Sequence, residues 1–287
     1  AVDPDGHAVV VWQRFNGTYW RIQARRRSKG GALSLVQTLS DGGHAFHPQV
    51  AVDQDGDAVV VWYRFDGTKN RIQARRRSKT GALSFVQTVS GAGRHHHHPQ
   101  VAMDQGGDAV IVWQRFDGAK WEVQARKRWA GGLMGPVTIL GGSWAGHGFY
   151  PQVAVAQDGD AGDDAVFVWQ CSDKGKWHIC SRRGLSSAGL IPLVISGSGE
   201  PYHATQPQVA VDEDGGTVIV WKRSDGTNFR IQARRRSVAG PFDAVQTLSS
   251  SGQHASSPQV AVDESGDAVA VWQRSDGTNQ RVESVGL

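Results

Sequence analysis

Histidine stands four residues ahead of a proline at five places in this 287-residue chain: His44, His95, His147, His203 and His254. The surrounding text varies, as in GGHAFHP, GRHHHHP and QHASSP, so the histidine is the constant feature. An imidazole there has three kinds of chemistry open to it. It can hydrogen-bond its own loop, touch a ligand, or ligate a metal. Zinc or nickel needs nitrogens converging on one ion at about 2 Å. Only the run His95–His98 brings neighbours close enough for that, which makes His95, His97 and His98 the metal candidates. The same run resembles a purification tag, but His95 occupies the repeated position, so the loop is native.

A second set recurs with the histidines. A Trp-x-Arg step carries Arg14, Arg64, Arg115, Arg223 and Arg274, with Cys171 in the remaining copy. The turn after it carries Asn16, Asp66, Asp117, Asp173, Asp225 or Asp276. Just beyond lie Trp20, Trp121, Trp177 and Phe229, while Asn70 and Gln280 fill the other two copies. Arginine, aspartate, histidine and an aromatic ring at one edge form a sugar-binding set. The ring stacks on the apolar face of a pyranose, and the charged groups take its hydroxyls. The structural alternative pairs each arginine with the aspartate of its own hairpin and lays the aromatic on the neighbouring unit.

The elements that position these residues repeat. Tryptophans 12, 62, 113, 169, 221 and 272 are spaced by 50, 51, 56, 52 and 51 residues. The same text surrounds them, PQVAVDQDGDAVVVW at 48–62 and PQVAVDESGDAVAVW at 258–272. Each copy reads as four strands. PQVAV opens on a proline, where no ladder donor is lost. After an Asp-Gly turn, AVVVW is a β-branched run of the kind buried on both faces. RIQARRR and a strand such as LSFVQTV follow. No segment shows a 3.6-residue period. Six copies of about 50 residues predict an all-β fold, a six-bladed β-propeller with four-stranded antiparallel blades, as one domain over 1–287. The copies run approximately 1–47, 48–98, 99–150, 151–206, 207–257 and 258–287. The first copy lacks PQV and the last lacks its fourth strand. Either one blade has three strands, or the chain is cut from a longer array. The absence of an initial Met points to a processed or excised chain.

The repeated text and the ends of the copies, RSKTGALSFVQTVS at 77–90 and WAGGLMGPVTIL at 129–140, resemble sialidase-like propellers with degenerate Asp boxes. The full Ser-x-Asp-x-Gly-x-Thr-Trp pattern is absent. The resemblance spans the chain and implies a fold rather than an activity. It implies an arginine cluster, a tyrosine nucleophile and a separate acid in the enzymes of the family. The tyrosines here (19, 63, 150, 202) and glutamates (122, 200, 213, 264, 283) show no such constellation. An enzyme is therefore the less favoured expectation, and no catalytic residue is assigned.

In a four-stranded blade, the second turn and the blade-to-blade loop share one face, which gathers the histidines, the Trp-x-Arg arginines and the aromatics. The other face gathers turns such as Asp53, Asp55 and Asp57 with Arg25–Arg27, Arg75–Arg77, Arg126–Arg128 and Arg234–Arg236. Mutual compensation is the favoured account of those charges. A polyanion-binding surface and a calcium loop are weaker ones, since the EF-hand length and distal glutamate are missing. Copy four departs most, with an insertion bearing Asp158, Asp160, Asp163 and Asp164, with Lys174 and His178, and with the chain's two cysteines. Cys171 and Cys180 fall on adjacent strands, diagonal on one face, where a disulfide fits.

A multivalent, lectin-like propeller, secreted or on the surface of a bacterial-type cell, is the leading expectation. It binds glycans without cofactor, nucleic acid or membrane insertion. The alternatives are a protein-interaction scaffold from a longer repeat protein, and a polysaccharide hydrolase or lyase working in a central depression.

Overall fold

The computed structural model describes residues 1–141, 146–157, 160–173, 175–186, 192–197, 203–238 and 240–287. Asp158, Lys174, Glu200 and Tyr202 lie outside the described residues. Six antiparallel sheets follow one another along the chain, as the six copies predict, and the fold is a β-propeller with six blades. Blades 2 to 5 have four strands, and blades 1 and 6 have three. In blade 1 the opening AVD contributes only a bridge between Val2 and Ala8. Blade 6 ends on Gln280–Gly286 with no strand outside it. The chain divides into two compact units, Ala1–Ile139 and Leu140–Leu287, each with three blades.

Blade 2 shows how the repeat folds. Its strands are Ala45–Val52, Ala58–Phe65, Asn70–Arg77 and Gln87–Thr88. Two boundaries differ from the sequence reading. The first strand begins three residues before its proline, and the fourth shrinks to two residues. The first change has its cause in hydrogen bonding. Ala45 and Phe46 already pair with Arg64 and Tyr63, and the ladder resumes at Gln49 after a bulge over His47 and Pro48. The residue ahead of each proline sits in the left-handed region, with φ between 50° and 55° at His47, His98, Tyr150, Gln206 and Ser257. That region is unusual for any residue with a Cβ and more so before proline.

The second strands are buried as predicted, Ala58 to Trp62 having no exposed surface. Alternation explains it. Val60 and Trp62 pack on Ile22, Ala24 and Leu39 of the preceding blade. Val59 and Val61 pack on Ile111 and Trp113 of the following one. Trp221 and Trp272 repeat the arrangement in the second unit. The repeated tryptophans are therefore blade-to-blade core, and Trp62 also donates its indole N–H to Gln73 at 3.1 Å across its own hairpin.

Candidate functional site

The repeated histidines act first as clips between blades. Nδ1 of His44 accepts the backbone N–H of Trp20 at 3.3 Å, and His95 accepts that of Asn70 at 3.4 Å. His203 and His254 accept those of Trp177 and Phe229, each at 3.1 Å. Each donor lies at the start of the third strand of the preceding blade, first in the strand at Trp20, Asn70 and Phe229 and second at Trp177. The histidine carbonyl meanwhile accepts an N–H from its own blade, Phe65 for His44 and Phe116 for His95. The backbone of His147 accepts from Ser172 in the same way. With Nδ1 accepting, a neutral imidazole at His44, His203 or His254 carries its proton on Nε2, which leaves no lone pair there for a metal, whereas Nε2 of His95 lies 3.4 Å from the Lys69 ammonium. Among the described residues, no three His, Cys, Asp or Glu side chains converge as a metal site would.

The Trp-x-Arg arginines do not pair with the aspartates of their turns. Arg64 donates to the carbonyl of Gly42 and Arg223 to that of Ser196, both in the loop ahead of their blade. Arg274 donates to Ser251 at 3.1 Å and pairs with Glu283 at 2.9 Å. Arg115 turns to Glu122 at 3.0 Å, and Arg14 is exposed. The aspartates instead close their own turns. Asp66 accepts the N–H groups of Thr68 and Lys69 at 2.9 Å each and faces Arg71 at 3.5 Å. Those backbone donors, Lys69 first, hold its carboxyl at about 2. The arginine that meets the aspartate is thus the one on the third strand, a partner the Trp-x-Arg spacing hides.

On the opposite face the charges compensate. Asp57 accepts the Lys79 N–H at 2.7 Å and pairs with Arg76. Lys127 pairs with Asp108 at 2.9 Å, and Arg183 with Asp164 at 2.8 Å. The first arginine of the triplet spans two blades at Arg75, Arg126 and Arg234. Arg75 donates to Ser84 at 2.7 Å and to Leu39 of the preceding blade at 2.8 Å. The third arginine takes a glutamine of the preceding blade, Arg77 to Gln37 at 2.7 Å and Arg128 to Gln87 at 2.9 Å. Gly56 lies where a Cβ would stand 2.9 Å from the Asp3 carboxylate of blade 1, and its φ of 82° suits glycine alone.

The rings gather on the histidine face of blades 1 to 3. Phe15 meets Trp20 with centroids 5.6 Å apart, and Trp20 meets Phe46 at 6.3 Å. Phe46 meets Tyr63 at 5.6 Å, Tyr63 meets His97 at 5.0 Å, and His97 meets Trp121 at 5.5 Å. His47 stacks on Tyr63 at 5.4 Å and stands 5.6 Å from His98. His44 stacks on Phe46 and His95 on His97. Burial, then His98, His95 and His47, holds His97 down at about 4, and burial and His47 lower His98 as well. His97 is therefore neutral at pH 7. Burial raises the Tyr63 hydroxyl above its ordinary value.

Of the sequence candidates, His44, His95, His97, His98, Trp20 and Trp121 belong to this surface. In the second unit, Trp177 packs on Phe149 at 5.6 Å and Phe229 on His254 at 5.3 Å. Phe46, His47 and Tyr63 were not singled out by spacing. Their signal lies one to two residues before the repeat proline and one after the repeat tryptophan. There blades 2 to 4 carry Phe-His, His-His and Phe-Tyr, whereas blades 5 and 6 carry Thr-Gln and Ser-Ser. Cys171 and Cys180 are bonded, with Cα atoms 5.9 Å apart, and they replace the Arg of the other blades and the Gln of blades 1, 2, 3 and 5.

No family model and no curated protein matches the sequence. Solved structures do match in fold. One is an ulvan lyase, a polysaccharide lyase bound to a GlcA–Rha3S saccharide. It has a TM-score of 0.64 and 9% identity over 99% of this chain and 77% of its own. A second is an α-L-arabinofuranosidase of Fusarium graminearum, with a TM-score of 0.61 and 12% identity over 100% of this chain and 91% of its own. A third is the leech intramolecular trans-sialidase, with a TM-score of 0.59 and 9% identity over 99% of this chain and 67% of its own. The chain is thus a propeller of the kind seen in sialidase-like and other glycoside-cleaving proteins, and identity this low establishes the fold alone.

Proposed function

We propose that the protein binds carbohydrate on the aromatic and imidazole surface of blades 1 to 3. The observation that carries this is the unbroken row of rings from Phe15 through Trp20, Phe46, Tyr63 and His97 to Trp121. Trp20 is 36% exposed and Phe15 48% exposed. Such rings supply faces for pyranose stacking, and the neutral His97 imidazole and the Tyr63 phenol supply hydrogen bonds without a charge to desolvate. The repeated histidines then serve as frame, so the binding is concentrated in one region rather than spread over equivalent loops. The neighbours' activity on saccharides supports the substrate class. The turn after each third strand, where the Ser78 hydroxyl accepts the Ala82 N–H at 2.9 Å, is read as a degenerate Asp box. The disulfide supports a secreted or cell-surface location, where such bonds persist.

A second reading rests on the absence of a carboxylate from this row. Glycoside hydrolysis ordinarily needs two. A β-eliminating lyase needs a neutral base for the proton beside a uronate carboxylate and an acid for the leaving oxygen. His47 or His98 as base and Tyr63 as acid would satisfy it.

A glycan array, run with and without EDTA on the wild type and on Tyr63→Phe, His97→Ala, Trp20→Ala and His254→Ala, tests the proposal. Binding should survive EDTA and fall at least tenfold in His97→Ala and Trp20→Ala. His254→Ala should bind as the wild type does but melt earlier. A loss confined to His254→Ala would sink the single-region reading and restore the equivalent loops. Unsaturated uronate released by the wild type and lost in Tyr63→Phe would select the lyase.

A further inference from the structure

The repeat supplies an internal standard for every arginine, and blade 5 breaks it. Arg236 holds the position of Arg77 and Arg128, whose Nε atoms each reach a glutamine on the fourth strand of the preceding blade. The register places Leu193 at that glutamine's position, since Leu193 pairs with Ser181 as Gln37 pairs with Ala24. Arg236 has therefore lost that acceptor, and its Nε is buried with no hydrogen-bond partner among the described residues. Among the described residues its guanidinium reaches an acceptor at the Val238 carbonyl, at a long 3.5 Å. A second departure opens space beside it. Gly184 stands where blades 1, 2, 3 and 5 carry the third arginine of the triplet.

Together the two changes leave a cavity of about 360 Å³ in blades 4 and 5, within the second unit. That is the low end of the size range of small-molecule sites. Its charges are unevenly matched. Arg183 is neutralised by Asp164 at 2.8 Å, while Arg182 donates to the Ser186 carbonyl at 2.6 Å. Phe242 lies under Arg236 at 5.6 Å and holds the guanidinium plane. Burial, then Arg183, pushes the Arg236 pKa down, as expected of a cation with no ion-pair partner among the described residues. The hydroxyls of Ser181 and Ser186 and the exposed carboxylate of Asp163 complete the lining.

We propose that this cavity binds a small hydroxylated oxyanion, a saccharide-sized carboxylate or sulfate ester, whose oxygens replace the missing glutamine on Arg236. A planar guanidinium fork matches such oxygens in geometry and charge. The serines and Asp163 are suited to the hydroxyls of the same ligand. The site shares no residue with the ring surface of blades 1 to 3, so either can fail without the other.

The test is titration calorimetry on the full chain with sodium D-glucuronate, sodium sulfate and sodium phosphate, against glucose and sodium chloride at matched ionic strength. Two variants accompany it. Leu193→Gln restores the repeat's own acceptor, and Arg236→Gln removes the cation. Leu193 is 55% exposed, so the first variant should fold and melt no earlier than the wild type. Glucuronate should bind the wild type and weaken at least tenfold in both variants, with glucose silent. If sulfate or phosphate binds as tightly as glucuronate and shows the same losses, the oxyanion site stands and its ligand is the free ion. Absence of binding by all three anions, or equal affinity in Leu193→Gln, overturns the proposal.

Discussion

At the scale of the residue, the four-histidine run divides into four different environments. His95 is the clip, His97 joins the rings, and His98 takes the left-handed position of the bulge. His96 sits where blades 2, 5 and 6 have Ala45, Ala204 and Ala255, and it is 1% exposed with no hydrogen-bond partner of good geometry for either nitrogen. Burial, then Arg71 and Arg115, holds its pKa at about 4. The unfolded value is near 6.5. A group whose pKa is lower in the folded state binds its proton more readily when unfolded. Its contribution is therefore harmless above the unfolded value, and stability is lost as pH falls from about 6.5 toward 4. At about pH 5 the loss from His96 is about 2 kcal/mol. His96→Ala should cost some packing at neutral pH but lose less stability on acidification, by that amount. His97 keeps part of the acid slope. Urea melts at neutral pH and near pH 5 measure it, and equal acid losses in both proteins would refute the assignment. The sequence marked the repeated histidine by position. It hid the role, because the N–H that each Nδ1 accepts lies 24 to 26 residues earlier, on another blade.

At the scale of the element, the second strand was the most legible part of the chain. Val59 and Val61 face one neighbouring blade while Val60 and Trp62 face the other, and a continuous apolar run is the only pattern that serves both. The first strand was harder, because its bulge places residues such as His47 and Ser257 in a region their type disfavours, and no composition signal marks that. Ser257 keeps its N–H on Gln206 at 3.1 Å. Ser257→Gly should retain that bond and relieve the left-handed cost of a Cβ. The net gain should be about 0.5–1 kcal/mol, once the extra freedom of glycine in the unfolded chain is set against it. A lower melting temperature than wild type would show that the bulge is not strained. The blade 4 hairpin offers a second check. The bond between Cys171 and Cys180 closes a short loop, 9 residues in separation, so reduction should cost no more than about 2–3 kcal/mol. Melting with and without reductant measures this, and an unchanged melt would mean that the strand pairing alone fixes the hairpin.

At the scale of the whole molecule, the repeat builds the frame and the departures from it mark the chemistry. Rings before the proline in blades 2 and 3, with Phe15 and Trp20 of blade 1, belong to the surface proposed for sugar, and Leu193 with Gly184 lines the cavity in blades 4 and 5. The arginine triplets look, in sequence, like a polyanion track, and the chain does carry 31 Lys and Arg residues. The structure shows where many of those charges go. Arg25, Arg75, Arg126 and Arg234 each bind a backbone carbonyl of their own blade, and Arg26, Arg76 and Lys127 pair with the aspartates of the first turns. Polyanion affinity comes from neutralising phosphates or sulfates with cations free to do so, and each such contact adds to the salt dependence. With net charge only +4 and the triplets held in internal pairs, a long polyanion finds few free cations in register. The protein should therefore pass through a heparin column at physiological salt, and any retention at low salt should have a shallow salt dependence. Retention at physiological salt with a steep slope, abolished by neutralising Arg26 and Arg76, would show that these pairs open to ligand.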